Sequence, residues 1–296
     1  MPRILLTLIC LFPLFARADE PTRFLIFADT RDKVGYDKVY EIVNRKVGSS
    51  VSFIVAPGDM TPLPKTRGVI DRVFGQGMPW YPVIGNHETA EKPSMQYLHD
   101  FYRKQLKGRV NPGPAGTEET TYSFDAGPIH FTAINVYWNG KTAPGSETKT
   151  DGDVVPPLRE WIKADLQKSD KPWKLVVGHE PAYPAHDRDW LDGRHEGSSL
   201  NEHKENRDAF WKMLGEQNAT AYICGHTHRY SRTQPEGGRV WQIDSAQLRG
   251  DDSWKFDTFI VVTADDRSIK FETYRNLKQR GRFEVTDMLT LPPAEK

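Results

Sequence analysis

Five short groups of polar side chains in this chain each follow an apolar run and carry atoms that can bind a metal ion. They are Phe27-Ala28-Asp29, Pro57-Gly58-Asp59, Gly85-Asn86-His87-Glu88, Gly178-His179-Glu180 and Gly225-His226-Thr227-His228. Carboxylate, amide and imidazole groups are ligands that hard and borderline divalent metals accept. One such group after a strand is commonly a cap or a satisfied polar side chain, whereas five in succession predict a metal centre.

Six of these side chains are candidate metal ligands. They are Asp29, Asp59, Asn86, His179, His226 and His228. Proteins with an open α/β sheet bind small molecules and ions beyond the carboxyl ends of the strands. Each of the five groups begins where a predicted strand ends, so all five can reach that edge. Two divalent ions bridged by Asp59 would use all six ligands and would form a two-metal clamp suited to phosphoryl transfer.

The elements that must position these groups alternate between strand and helix patterns. Strands are predicted at 23–28, 51–56, 80–84, 121–125, 129–136, 173–178 and 220–224. Several are apolar almost throughout, which is typical of strands covered on both faces. Helical spacing of apolar residues occurs within 39–47, 95–102, 158–166 and 210–214. This alternation predicts an α/β fold.

The C-terminal part has a different pattern, with strand-like segments and few helical signals. These segments are 239–244, 256–263, 268–274 and 282–288, and residues 265–268 have the composition of a hairpin turn. We therefore expect a second, more antiparallel sheet that packs against the first. A long polar stretch at 181–201, which contains His186 and His195, is either a substrate-recognition loop or a flexible surface loop.

The N-terminus predicts a signal peptide over residues 1–18. Arg3 precedes an apolar run at 4–15, and Ala16-Arg17-Ala18 is a small-x-small cleavage pattern. This run is shorter than the roughly 20 residues that a membrane-spanning helix needs. We expect cleavage after Ala18 and a mature chain without a membrane span, either periplasmic or secreted.

Residues 19–296 predict a single domain, because no linker rich in Pro, Gly or Ser separates the motif groups. Removing Arg3 and Arg17 from the 40 basic residues leaves 38 against 40 acidic ones, a formal net charge of −2. This balance gives no signal for nucleic-acid binding. The cut also removes Cys10 and leaves Cys224 alone, which excludes an intramolecular disulfide and favours a bacterial periplasm.

In order and spacing, the five groups resemble the motifs of the calcineurin-like metallophosphoesterase superfamily over residues 23 to about 233. Residues 122–136 and 161–181 are also similar to purple-acid-phosphatase-like members. The resemblance implies a four-layer αββα sandwich with two packed mixed β-sheets. It also implies a metal-dependent phosphatase or phosphodiesterase, in which metal-activated water or hydroxide attacks the phosphorus of a small phosphate ester.

The resemblance divides the ligands between two metal positions. Asp59, Asn86, His179 and His226 surround one ion, while Asp29, Asp59 and His228 belong to the other. His87 lies beside the ions, where it binds phosphate and protonates the leaving oxygen. One or two divalent ions are expected, as Mn, Zn or Fe(II). Purple-acid-phosphatase-like members usually have a tyrosine three residues after the second Asp, and this chain has Pro62 there. An Fe(III)-tyrosinate centre is therefore not expected.

Arg31 departs from the family pattern, because the family usually has His two residues after the first Asp. A guanidinium stays protonated and has no lone pair to give a metal. Arg31 either clamps phosphate beside a weakened metal pair, replaces the first metal electrostatically, or turns away to a neighbour such as Asp32. The first two alternatives are favoured equally over the third. The same departure keeps open a non-catalytic protein that binds a phosphate ligand or a partner.

Overall fold

The computed structural model describes residues 20–31, 36–143, 147, 151–250, 256–277 and 282–293, so the predicted signal peptide lies outside the described residues. The strands are β1 (Thr22–Ile26), β2 (Ile54–Ala56), β3 (Trp80–Pro82), β4 (Asn111–Pro112), β5 (Tyr122–Ala126), β6 (Ile129–Ala133), β7 (Trp173–Val177), β8 (Ala221–Cys224), β9 (Tyr230–Thr233), β10 (Trp241–Ser245), β11 (Thr258–Ala264), β12 (Ile269–Arg275) and β13 (Glu284–Leu291). The helices are α1 (Tyr36–Val47), α2 (Leu63–Phe74), α3 (Asn86–Ala90), α4 (Lys92–Phe101), α5 (Pro156–Lys168) and α6 (Lys204–Glu216).

The strands of the described ranges form two mixed sheets. One sheet has the order β13-β12-β11-β1-β2-β3, and the other has the order β4-β5-β6-β7-β8-β10-β9. The neighbours β1, β2 and β3 are parallel, as are β6, β7, β8 and β10. Each sheet therefore directs the carboxyl ends of several strands toward one edge.

Alternating side chains of β1 show how the layers are stacked. Phe24 and Ile26 face the apolar interior between the sheets, where the ring centroid of Phe24 lies 5.2 Å from that of Phe131 in β6. Phe27, just beyond the strand, packs on the outer side against Tyr40 of α1, at 4.9 Å between ring centroids. Because strand side chains alternate between faces, one sequence run serves both the inter-sheet core and a helix layer.

The second sheet has its own helix layer on its outer side. Phe210 of α6 contacts Tyr222 of β8, with ring centroids 5.3 Å apart, and α5 packs against β6. The result is a four-layer αββα sandwich, which confirms the predicted fold class. Among the described residues, no helix has the length and apolar character needed to span a bilayer.

The prediction of a separate C-terminal sheet is wrong. Strand β11 pairs antiparallel with β1, so that β11, β12 and β13 extend the first sheet. Strand β10 inserts between β8 and β9 of the other sheet. The alternation of apolar and polar residues reveals a strand but not its partner, and here the partners come from distant parts of the chain. The hairpin turn is confirmed by a hydrogen bond from Asp265 N to Ser268 O (3.0 Å).

Two helices were not predicted from the sequence. Helix α2 begins directly after Pro62 and buries Leu63, Val69 and Ile70. Helix α3 spans only 86–90, which is too short for a helical repeat of apolar residues to appear. Both helices follow metal-motif groups, so they fix the direction in which the chain leaves the sheet edge.

Candidate metal centre

Backbone hydrogen bonds join the loops that follow the parallel strands. The amide of Asp29, after β1, donates to the carbonyl of Gly58, after β2, over 3.1 Å. In the second sheet, Gly225 N donates to His179 O over 2.9 Å. Asp29 Oδ2 accepts from the amide of His226 (2.9 Å), which connects the two sheets. The predicted groups therefore meet at one place, where the edges of the two sheets adjoin.

Three predicted ligands form a compact buried cluster. The ligand atoms of Asp29, Asp59 and His179 all lie within 4.8 Å of one another. Burial and the charge of Asp29 raise the pKa of Asp59 well above its ordinary value. Burial also raises the pKa of Asp29, but His228, His179 and Arg249 outweigh that effect and lower it. Two carboxylates buried this close together call for compensating positive charge.

Two imidazoles are oriented by backbone carbonyls. His179 Nδ1 donates to Pro57 O (2.6 Å), and His226 Nε2 donates to Ser198 O (2.7 Å). Each ring therefore keeps its other nitrogen as a lone-pair donor, the usual arrangement of a metal-binding histidine. Burial, followed by the proximity of His179, lowers the pKa of His226 to about 3, which keeps this ring neutral.

The fit of a metal ion can be tested by the polar atoms that lack partners. Asn86 Oδ1 and His179 Nε2 are buried and have no hydrogen-bond partner within the described ranges, and Asp29 Oδ1 has the Nε2 of His228 at 3.1 Å. Buried polar atoms are nearly always satisfied, so such a group of acceptors needs an explanation. All three are acceptors of the kinds that divalent cations bind. The residues present therefore fit a divalent metal.

Backbone conformations at the site are unusual. Positive φ angles occur at Asp29 (54°), Asp59 (56°), His226 (72°) and His228 (59°). Such conformations cost energy in residues other than glycine and concentrate at functional sites. Gly58 permits the close approach of the strand ends, because a β-carbon there would overlap the ring of His179.

Glu88 holds the loops after β2 and β3 together. Its carboxylate accepts hydrogen bonds from the amides of Asp59 (2.9 Å), Met60 (2.7 Å) and Gly85 (2.7 Å). Burial, with the nearby charge of Asp59, raises the pKa of Glu88 to about 7. This residue supports the ligand loops and is completely buried.

His87 lies beside the carboxylates with its ring partly open to solvent. Its amide donates to Asp59 Oδ1 (3.0 Å), and its Nε2 is 3.6 Å from Asp59 Oδ2, with 30% of the side chain exposed. Burial and the charge of Arg31 lower the pKa of His87 to about 4. The ring can therefore contact a ligand that enters from solvent.

Arg31 is half-buried at the same edge. Its amide is hydrogen-bonded to Asp59 O (3.3 Å), while its guanidinium has no hydrogen bond or ion pair with any residue that the structure describes. Asp32, the neighbour considered as an alternative partner, lies outside the described residues. The charge of Arg31 reaches His87, whose pKa it lowers.

His228 is arranged differently from the other two histidines. Its Nε2 lies 2.9 Å from Nη2 of Arg249 and 3.1 Å from Asp29 Oδ1, and its buried Nδ1 has no partner in the described part of the chain. Arg249 also donates from Nε to Asp29 O (3.0 Å). Sequence reasoning missed Arg249, because it belongs to no motif. The one available signal was its position shortly after a strand that ends at the same edge.

The loop at 181–201 reaches the site through one of its two histidines. The ring of His195 stacks on that of His226, with centroids 4.5 Å apart, and Arg194 precedes it. His186 is instead 61% exposed and pairs with Glu196 (2.8 Å). The loop therefore covers part of the candidate metal site, and of its two histidines only His195 contacts a candidate ligand.

Comparison with known proteins gives the family to which this fold and this cluster belong. Residues 22–230 match the calcineurin-like phosphoesterase family, so the chain belongs to that family. It is 22% identical over 233 residues to purple acid phosphatase 21 of Arabidopsis thaliana, covering 75% of this chain and 48% of that protein. It is 25% identical over 173 residues to purple acid phosphatase 18 of the same plant, covering 57% of this chain and 34% of that protein.

Two solved structures share the fold at low sequence identity. Purple acid phosphatase PPD1 from yellow lupin superposes with a TM-score of 0.60 at 16% identity, over 92% of this chain and 54% of that one. GAP50, the anchor in the inner membrane complex of Plasmodium, superposes with a TM-score of 0.61 at 15% identity, over 94% of this chain and 90% of that one. The chain spans half or less of the length of the two plant relatives.

Proposed function

We propose that this chain is a metal-dependent phosphoric ester hydrolase. The observation that carries the proposal is the buried cluster of Asp29, Asp59 and His179, in which His179 Nε2 has no hydrogen-bond partner in the described ranges and suits a divalent ion. Membership of the calcineurin-like phosphoesterase family supports the same chemistry. The ion is Mn, Zn or Fe(II), because the donor set combines oxygen with imidazole nitrogen.

The chain's residues would divide the work of hydrolysis. Asp59, Asn86, His179 and His226 would hold a divalent ion, whose chemistry when bound would be to activate water and to neutralise phosphate charge. His87 would donate a proton to the departing oxygen, since its partly exposed ring lies beside the cluster. Arg31, without a partner among the described residues, would hold the phosphate oxygens through its forked donors.

The substrate proposed is a small phosphate mono- or diester. No distinction between the two follows from the fold, because one scaffold accommodates many substrates. Export is part of the proposal, supported by Arg3, the apolar run at 4–15 and the pattern Ala16-Arg17-Ala18. N-terminal sequencing of the exported chain tests this part, with Asp19 expected as the first residue.

A second candidate is a non-catalytic protein that binds a phosphate ligand. The contact between Arg249 and His228 favours it, because a guanidinium on a ligand histidine weakens one metal position. The retention of His87 beside Asp59 favours the enzyme instead.

Hydrolysis of p-nitrophenyl phosphate and bis(p-nitrophenyl) phosphate separates the two candidates. If the chain is an enzyme, neither ester is hydrolysed in EDTA, and hydrolysis recovers when Mn, Zn or Fe(II) is added. If no metal gives turnover while calorimetry still detects binding of inorganic phosphate, the chain is a phosphate-binding protein without catalytic activity. Preference between the two esters would assign the substrate class.

A further inference from the structure

The three imidazoles among the candidate metal ligands are held in two different ways. His179 and His226 each donate one ring nitrogen to a backbone carbonyl and leave the other nitrogen for a metal. His228 Nε2 instead lies 2.9 Å from Nη2 of Arg249 and 3.1 Å from Asp29 Oδ1. A guanidinium can only donate, so the lone pair of Nε2 is used by Arg249. His228 is thus bound as an acceptor for an arginine.

Arg249 is anchored at this place by several contacts. Its side-chain Nε donates to Asp29 O (3.0 Å), and its amide donates to Asp257 Oδ1 (2.9 Å). The residue is 8% exposed, so its charge is only weakly screened by water. A permanent positive charge therefore already stands beside Asp29 and His228.

Arg31 adds a second guanidinium at the same edge. Its amide donates to Asp59 O (3.3 Å), and its side chain offers no lone pair to a metal. The charges of Arg31 and Arg249 thus act on the carboxylates of Asp59 and Asp29. Both also repel a dication, whereas the half of the site formed by Asn86 and His179 presents free acceptor atoms.

We propose that the chain binds one divalent ion, on Asp59, Asn86, His179 and His226, and that Arg249 with His228 takes the place of a second ion. Asp29 has a carboxylate oxygen within 4.8 Å of the ligand atoms of Asp59 and His179, so it lies within reach of the single ion. This inference rests on the metal centre of the proposed function and defines its stoichiometry. Arg249 acts as a built-in cation that balances Asp29.

A matched pair of histidine variants tests the proposal without an activity assay. After dialysis against Mn(II), metal analysis is expected to give one ion per wild-type chain. His228→Ala is expected to keep that ion with an affinity unchanged within about threefold, whereas His179→Ala lowers the affinity about tenfold or more. Electron paramagnetic resonance titration measures both affinities, and circular dichroism checks the fold. Equal losses in the two variants would overturn the inference.

A gain-of-metal variant provides the converse test. Arg31→His combined with Arg249→Ala restores a ligand and removes the cation, so it is expected to bind two Mn(II) ions. The control is Arg194→Ala, which removes a nearby arginine outside this contact and is expected to bind one. Two ions in the wild-type chain, or one in the double variant, would contradict the inference.

The outcomes also separate this inference from the proposed function. Two ions with metal-dependent hydrolysis would overturn the stoichiometry alone. One bound ion without any hydrolysis would contradict the proposed enzymatic activity and would agree with the inferred stoichiometry of one ion. An absence of bound metal in the wild-type chain would overturn both.

Discussion

At the scale of single residues, His87 is the proposed proton donor to the leaving group. Its ring lies 3.6 Å from the carboxylate of Asp59 and is 30% exposed. A leaving alkoxide needs a proton far more than a stable phenolate does, because it is the stronger base. The dependence of turnover on the leaving group therefore reports the role of this residue.

The variant His87→Asn is expected to slow the hydrolysis of an alkyl phosphate by about 10²–10⁴-fold. Hydrolysis of p-nitrophenyl phosphate should slow much less, since its leaving group departs without a proton. Steady-state kcat for both esters measures the difference. His99→Asn, at a remote histidine that pairs with Glu119, is the control. Equal losses with both esters would assign His87 to phosphate binding instead.

The pH dependence of turnover tests the position of Arg31. Burial and the charge of Arg31 lower the pKa of His87 to about 4, so the protonated acid is present mainly at low pH. Turnover of an alkyl phosphate is expected to fall as pH rises through that region. Arg31→Gln removes a positive charge that disfavours imidazolium, so the descending limb should move to higher pH. A limb that stays in place would show that the Arg31 guanidinium points away from His87.

At the scale of elements, the sequence predicted which residues converge but not all of what surrounds them. Asp29, Asp59 and His179 follow apolar strands, and the parallel pairing of those strands explains why the cluster forms. Arg249 was missed because its contact with His228 depends on how β10 inserts into the second sheet. Pairing between distant strands leaves no periodic signal in the sequence.

Substitution of Glu88 tests how far the loops after β2 and β3, which carry candidate metal ligands, depend on its hydrogen bonds. In Glu88→Gln, the amide nitrogen of the new side chain would face a backbone donor, because the carboxylate accepts from Asp59, Met60 and Gly85. We expect a loss of about 1–3 kcal/mol in the free energy of unfolding. Metal affinity should fall by about 10–100-fold, as is typical when a group that orients ligands is changed.

Urea denaturation and metal titration measure the two effects of Glu88→Gln. The exposed Glu91, three residues further along, supplies Glu91→Gln as the control. Unchanged metal affinity in a destabilised Glu88→Gln protein would restrict Glu88 to a role in folding.

At the scale of the whole molecule, Asp287 joins the two sheets. It lies in β13 of the first sheet and accepts from Tyr230 (2.7 Å) and Arg232 (2.7 Å) in β9 of the second. Arg188, in the loop that covers the candidate metal site, pairs with the same carboxylate. This one side chain therefore couples the sandwich to the loop over the site.

Acid unfolding of Asp287→Asn measures that coupling. Burial raises the pKa of Asp287, but hydrogen bonds from Arg232, Tyr230 and Arg188 outweigh it and lower the pKa from 3.8 to about 2. The stabilisation is therefore present above about pH 4 and lost as pH falls through 2, and after allowance for screening by solvent it amounts to on the order of 1 kcal/mol. Asp287→Asn should be less stable near neutral pH, with the difference shrinking in acid. Asp266→Asn, in an exposed turn, should match wild type, and a pH-independent loss would contradict the assignment.

The most direct test of the metal-dependent hydrolase measures phosphate release and metal content in the same samples. The wild-type chain should be inactive after EDTA treatment and regain activity as it takes up Mn, Zn or Fe(II). Asp59→Asn, folded by circular dichroism, should lose about a hundredfold or more in metal affinity and recover no turnover. Full turnover in EDTA, or undiminished activity of Asp59→Asn, would contradict the account.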